Sequence, residues 1–294
     1  MKFENLTNGG AKRGLAIIVG WSLLSGPTPA LADERAHQGQ PPLIVLVAFG
    51  TSVPKARQVY THIEEQTKKA FPNVDIRWGF TSGIIVKKLR SQGIESQTLP
   101  ELAQALKAEG HRAVVLQSLH MVPGEEFESI KQVDFGPLPK AYGEPLLTSE
   151  ADIEAVIAAL QPALKPDRPN VIVMHGNDKH PEFNTQLLAF TRVIESKDPN
   201  VIVASVEGQP GTDGPLKRAR ELAVKSGAVH FIPMMIVAGD HIMNDVLGDE
   251  PDSWKNRIGA KSVTCADPLG ANDAVIAVFH AHLRKALTEL KSHR

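Results

Sequence analysis

The sequence predicts an α/β protein of two similar, doubly wound parallel-sheet domains with the active site in the cleft between them. Two observations predict it. Short β-branched runs alternate with longer amphipathic stretches along most of the chain, which is the pattern of βαβ units. A phrase at residues 113–126 also returns, altered, at 228–241, so that Val122, Gly124 and Glu126 align with Val237, Gly239 and His241 at a constant offset of 115. Each copy reads as a buried apolar strand that breaks at glycine and presents a polar group where a helix should begin. The duplicated end is asymmetric: a carboxylate in one half stands where an imidazole stands in the other.

Taken in order, Leu43–Phe49 is apolar enough to be a strand buried on both faces, and Gly50-Thr51-Ser52 turns it into a helix at 54–70. Val74–Phe80 is a second strand, Thr81-Ser82-Gly83 leads into a helix at 84–91, and 98–109 is helical. Ala113–Leu119 is a strand and 125–132 a helix; a Pro- and Gly-rich passage at 136–145 precedes a helix at 149–164. Pro166 to Pro169 marks the boundary between an N-terminal domain at 43–166 and a C-terminal domain at 167–294. The second half repeats the order, with strands at Val171–Met174, Val201–Val206 and Val229–Val237 and helices at 181–196 and 215–226. A last helix, from about Asn272 to Leu290, is free to cross back to the first domain. At an offset of 126, Phe49-Gly50 aligns with His175-Gly176 and Thr81 with Glu207.

Residues 1–32 pose a different physical problem. Lys12 and Arg13 precede a short apolar run, and Ala30-Leu31-Ala32 supplies the small-x-small pattern of signal-peptide cleavage, so we expect a signal peptide cut after Ala32 and a periplasmic protein. The run is about a dozen residues, short of the roughly 20 that a span needs, so no membrane span is expected after cleavage. Residues 33–42 read as a linker. Cleavage removes three positive charges and one negative, taking the net charge from −1 to −3, which suits neither nucleic acid nor an anionic membrane surface. Cys265 is the only cysteine, so a metal site within this chain must use His and carboxylate.

Ligands of open α/β sheets bind beyond the carboxyl ends of the strands. His175, Glu207 and His241 all lie at such ends, and two imidazoles with one carboxylate suit a borderline divalent cation such as cobalt, ferrous iron, nickel or zinc. Glu126 would enter the same cleft from the opposite wall as a proton acceptor. His120 either contacts a ligand, a tetrapyrrole or a haem, or lines the cleft. His280 and His282 are two apart on a helix and cannot share one ion. No G-x-S-x-G, G-x-x-x-x-G-K-[ST], H-E-x-x-H or G-x-G-x-x-G stretch is present, which removes support for common hydrolases and nucleotide enzymes.

The set Phe49-Gly-Thr-Ser52, Phe80-Thr-Ser-Gly83 with Lys87-Lys-Leu-Arg90, Gln117-Ser-Leu-His120 with Gly124-Glu-Glu126, His175-Gly176, Val237-Ala-Gly-Asp-His241 with Asn244-Asp245, and Asp252-Ser-Trp-Lys255 resembles the anaerobic cobalt chelatases. These are the sirohydrochlorin cobaltochelatases, of the class II chelatase family, and the likeness runs from about Leu43 to the last helix. The resemblance implies a two-domain chelatase fold, no ATP and no organic cofactor, and a divalent metal, Co2+ or Fe2+, as substrate with a tetrapyrrole. It implies that His175 and His241 handle the metal and that Glu126 is the active-site glutamate; Glu207 joins them as a ligand by its strand-end position. Homo-oligomers are expected by resemblance alone. An export signal is unexpected for corrin synthesis, and iron or haem traffic, with a haem bound by a histidine, is an alternative setting. Rival readings are a periplasmic metal- or tetrapyrrole-binding protein without turnover and a metal-dependent hydrolase using His175, Glu207 and His241.

Overall fold

The computed structural model describes residues 41–292. The expected signal peptide and the linker up to residue 40 lie outside them. Among the described residues no helix is long and apolar enough to cross a membrane.

The first half runs β1 (Leu43–Ala48), α1 (Pro54–Ala70), β2 (Ile76–Phe80), α2 (Gly83–Ser91), α3 (Leu99–Ala108), β3 (Val114–Ser118), α4 (Glu125–Gln132), β4 (Lys140–Gly143) and α5 (Glu150–Leu160). The second runs β5 (Asn170–Met174), α6 (Thr185–Lys197), β6 (Val201–Ser205), α7 (Asp213–Ser226), β7 (Ala228–Pro233), α8 (Trp254–Ile258), β8 (Ser262–Cys265) and α9 (Asp273–Ser292). Their strands form two four-stranded parallel sheets of identical order, β2-β1-β3-β4 and β6-β5-β7-β8. In both, the winding reverses between the first and third strands, which opens a crevice at their carboxyl ends.

The duplication holds in register. Val47 pairs with Ser118 and Val173 with Pro233, keeping the offsets of 126 and 115. The second strands differ by one residue: Ser82 N–H donates to the Phe49 carbonyl (3.2 Å) as Glu207 N–H does to that of His175 (2.8 Å). The structural counterpart of Glu207 is therefore Ser82, not Thr81.

Other elements also depart from the sequence reading. The four-residue edge strands β4 and β8 fall in stretches where no strand was expected. β7 stops at Pro233 instead of reaching Val237, and the Met234 N–H makes the last bond to the Val173 carbonyl at 2.8 Å. The helix expected at 149–164 gives way after Leu160 to a 3₁₀ turn, Gln161–Ala163, and the one expected from 181 begins as another, Pro181–Asn184.

Strand alternation divides the apolar interior into three layers. Ile44, Leu46 and Ala48 of β1 and Ile172 and Met174 of β5 belong to one central cluster that draws on both halves. On its other face the first sheet presents Leu43, Val45 and Val47 to α3 and α4. The second sheet likewise presents Val171 and Val173 to α7 and α8. Two lobes thus share one core. The last helix reinforces it: α9 packs against β3, β4, α1 and α5, elements of the first half. Its stripe Val275, Ile276, Phe279, Leu283, Ala286 and Leu290 lies in the central cluster, at helical spacing.

His280 and His282 point to different sides of α9. His280 Nε2 meets the Thr67 hydroxyl at 3.1 Å, and that hydroxyl already donates to the Ile63 carbonyl, so the ring nitrogen is the donor. Burial pushes the His280 imidazole down to about 4. His282 faces two acceptors, the Glu144 carbonyl (3.1 Å) and Asp152 Oδ1 (3.0 Å). Burial alone would raise the Asp152 carboxyl, but hydrogen bonds from Thr148, Ser149 and His282 outweigh it and the net shift is downward.

Phe279→Ala should lower stability by about 3–5 kcal/mol. Far-UV circular dichroism and tryptophan fluorescence should still lose their signals together in urea, because the two lobes share the layer that is damaged. Asp152 has a depressed folded pKa, so its contribution is complete above the unfolded value of roughly 4 and is lost as pH falls through the folded one. Asp152→Asn should therefore cost about 1–3 kcal/mol at pH 7. Its melting temperature should converge on that of the parent as pH falls below the ordinary carboxylate range.

Candidate functional site

The loops after β1, β3, β5 and β7 meet between the lobes. Gly124, after β3, packs under the Phe183 ring, and a Cβ there would sit 3.6 Å from it. Gly239, after β7, faces the Thr51 hydroxyl from the loop after β1. His180, on the second-half side, lies 3.8 Å from Glu125 of α4 and 3.3 Å from Glu182. The carboxyl ends of the two sheets thus close on one another, and the duplicated Gly turns form the seam.

His175 and His241 are brought together. Their ring centroids are 4.9 Å apart and their planes are nearly perpendicular, at 81°. Two imidazoles bound through nitrogen to one first-row cation at about 2.1 Å place their centroids about 5 Å apart. His175 Nδ1 lies 2.8 Å from the Gly176 carbonyl, and His241 Nδ1 lies 2.6 Å from Asp245 Oδ2. Both partners only accept, so both Nδ1 atoms carry the proton, and in the neutral ring the lone pair is then on Nε2.

Local structure explains these orientations. Gly176 has φ +78°, and a Cβ there would overlap the Glu207 carbonyl, so glycine alone lets the chain after β5 run this close to the one after β6. His241 opens a π-helical turn, Ile242–Val246, whose wide winding is common at functional sites. Asp240 accepts from Asn244 at 2.8 Å on the same turn. The buried anchors Ile242 and Val246 hold the turn in the outer core of the second sheet.

The expected three-ligand set is not assembled. Among the described residues no three His, Cys, Asp or Glu side chains converge so as to hold a metal ion. Glu207 meets His175 through its backbone, while its side chain is exposed at a chain turn that Gly208 takes with φ +63°. A histidine pair supported by Asp245 remains. Asp245 carried no role in the sequence reading; the i,i+4 spacing from His241 on a helical turn is the signal that finds it.

Glu126 and His120 form a second, smaller group. His120 Nε2 lies 4.0 Å from Glu126 Oε2; the imidazole is 13% exposed and the carboxylate 42%. Burial pushes the His120 ring down to about 4. Its Nε2 is shut off from solvent and has no hydrogen-bond partner. The loop that carries it is held from behind by the buried Gln117, whose amide donates to the Ser118 and Glu144 carbonyls at 2.8 and 2.9 Å. A Cβ at Gly143 would overlap that amide, so any side chain there would displace Gln117.

The profile of the cobalt chelatase (CbiK) family matches residues 43–288. The chain belongs to that family. The sirohydrochlorin cobaltochelatase of Salmonella typhimurium is 34% identical over 256 residues, covering 83% of this chain and 96% of the relative. Sirohydrochlorin cobaltochelatase CbiKC of Nitratidesulfovibrio vulgaris is 28% identical over 261 residues, 84% of this chain and 91% of the relative. Among solved structures, SirB from Bacillus subtilis with Fe3+ superposes with a TM-score of 0.57 at 15% identity, over 86% of this chain and 98% of that one. CbiX, described as the terminal enzyme for biosynthesis of siroheme in denitrifying bacteria, gives 0.55 at 14%, over 83% and 99%. These two likenesses concern the fold, which is that of the two-domain chelatases.

In this cobalt chelatase the carboxylate behind His241 is the feature most open to test. Asp245→Ala should leave the fold intact and weaken Co2+ binding to the protein alone by about 10–100-fold, the usual effect of removing a partner that orients a ligand. Titration of the Co2+ visible absorption would measure it.

Proposed function

We propose that this chain is a sirohydrochlorin cobaltochelatase, inserting Co2+ into the free-base macrocycle without ATP. Membership of the cobalt chelatase family and two relatives of that name matched over most of their length support the activity. The observation that carries the mechanism is the pair of adjacent imidazoles, His175 and His241, each with Nδ1 engaged by an acceptor.

Insertion requires three things of the protein: the metal must lose water, the ring must bend to expose its nitrogen lone pairs, and two pyrrole N–H protons must leave. Neutral imidazoles hold a divalent ion without cancelling its charge, so they can pass it on to four ring nitrogens. Two N–H bonds break, the electron pairs stay on nitrogen and become metal–nitrogen bonds, and the protons pass to Glu126 and to an imidazole freed as the metal leaves. A cleft between two lobes tied by one core favours a bent ring over a flat one, which lowers the barrier rather than merely tightening binding. In this reading the exposed Glu207 carboxylate swings in as a third ligand when the ion arrives.

Fe2+ suits the same donors and is the second metal of the proposal. The Lys12-Arg13 pair, the apolar run and Ala30-Leu31-Ala32 support action outside the cytoplasm after cleavage. A homo-oligomer is the expected working form.

Anaerobic absorbance spectroscopy of residues 33–294 with sirohydrochlorin and Co2+, then Fe2+, tests the activity. Multiple turnovers above the uncatalysed rate are expected, and His241→Ala should abolish them while leaving the circular dichroism unchanged. A stoichiometric spectral change without turnover would instead make the chain a carrier.

A further inference from the structure

Beside Glu126 sits an imidazole that the duplication does not account for. His120 Nδ1 is 2.9 Å from the hydroxyl of Ser118, which is fully buried. The His120 N–H points at the same oxygen from 3.4 Å, so Oγ already has a donor. Among the described residues the partner left for the hydroxyl proton is Nδ1. A hydroxyl that donates to Nδ1 leaves the ring proton on Nε2. That Nε2 is the buried, unpartnered atom facing Glu126 Oε2 at 4.0 Å.

The second half has nothing equivalent. At the offset of 115, Ser118 and His120 stand opposite Pro233 and Met235, which can neither donate nor orient. There the group matching Glu126 is His241, and Asp245 steadies it from its own turn. Each half supports its terminal group by its own device, an acceptor behind the imidazole and a donor beside the carboxylate.

We propose that His120 is a positioning residue for Glu126: its Nε2–H, set by Ser118, closes on the carboxylate as the macrocycle enters and holds it ionised and aimed at a pyrrole N–H. His120 donates a hydrogen bond and transfers no proton. The pyrrole N–H bond breaks, an O–H bond forms on Glu126, and the nitrogen keeps the electron pair for the metal. The inference rests on the reading of Glu126 as the proton acceptor.

The other titratable groups nearby are accounted for. Glu125 and Glu128 share α4 with Glu126, and Glu128 pairs with Lys131. His180, at the start of the turn packed against Gly124, lies against both Glu125 and Glu182. Glu144 belongs to the segment whose Leu146 and Leu147 amides bond to the His120 and Met121 carbonyls.

The test is the pH dependence of cobalt insertion into sirohydrochlorin by the parent and by His120→Leu, His120→Gln and Glu126→Gln. A donor stabilises a carboxylate, so its loss raises the pKa; in His120→Leu the acid limb of kcat should move up by about one pH unit, with rates on that limb about tenfold lower and KM little changed. A glutamine amide reaches about as far as Nε2–H, so His120→Gln should restore both. Ser118→Ala, which frees the tautomer, should shift the limb in the same direction but less, and serves if His120→Leu does not fold. An unshifted limb in His120→Leu, beside an inactive Glu126→Gln, overturns the role of His120 and leaves that of Glu126 standing. Equal loss in His120→Leu and His120→Gln without a pH shift also overturns it, since that is packing. A fully active Glu126→Gln overturns both readings together.

Discussion

Everything at the seam depends on one apolar layer that two parallel sheets share. Parallel strands bury both faces, and here the inner faces of β1 and β5, with the helices that cover them, belong to one cluster. The carboxyl ends of both sheets therefore open towards a common space, and the loops that follow them touch. Gly124 under Phe183 and Gly239 against Thr51 are the two contacts that record this closeness. Were the lobes joined only by a linker, the polar ends of the duplicated phrase would have no fixed partner across the cleft.

The duplication supplies a geometry and its divergence supplies the chemistry. The two halves keep the same sheet order and nearly the same register, so equivalent residues come to equivalent places. At the three places that matter, the first half has Phe49, Ser82 and Glu126 where the second has His175, Glu207 and His241. At these places one wall has a phenyl ring, a hydroxyl and a carboxylate, and the other two imidazoles and a carboxylate. A free-base tetrapyrrole giving up protons and a cation giving up ligands need different neighbours, and an asymmetric pair of walls offers both.

Periodicity made the core of each half legible, because runs such as Leu43–Ala48 leave no other reading than a strand buried on both faces. Glycine followed by a polar group located the site for a similar reason: few sequences break a buried strand and open a helix so abruptly. β4 and β8 stayed hidden because four residues on a sheet edge, half exposed, carry no alternation long enough to see. The direction of the Glu207 side chain stayed hidden for a subtler reason. Sequence spacing placed Glu207 at a strand end, which is right, but cannot say which way a side chain leaves a turn whose next residue has φ +63°. Ser118 and Asp245 were missed because each acts through a neighbour, and support of that kind shows only when distances are known.

The long helix at the end of the chain has a consequence for how the molecule is made. A ribosome delivers β1 first and α9 last, yet the stripe from Val275 to Leu290 belongs to the layer that β1 begins. Until the final residues emerge, β3 and β4 lack the helix that packs against them, and the early half cannot settle into its finished form while the late half is still being made. The order of synthesis thus runs against the order of packing, and the first half is completed only when the last helix docks.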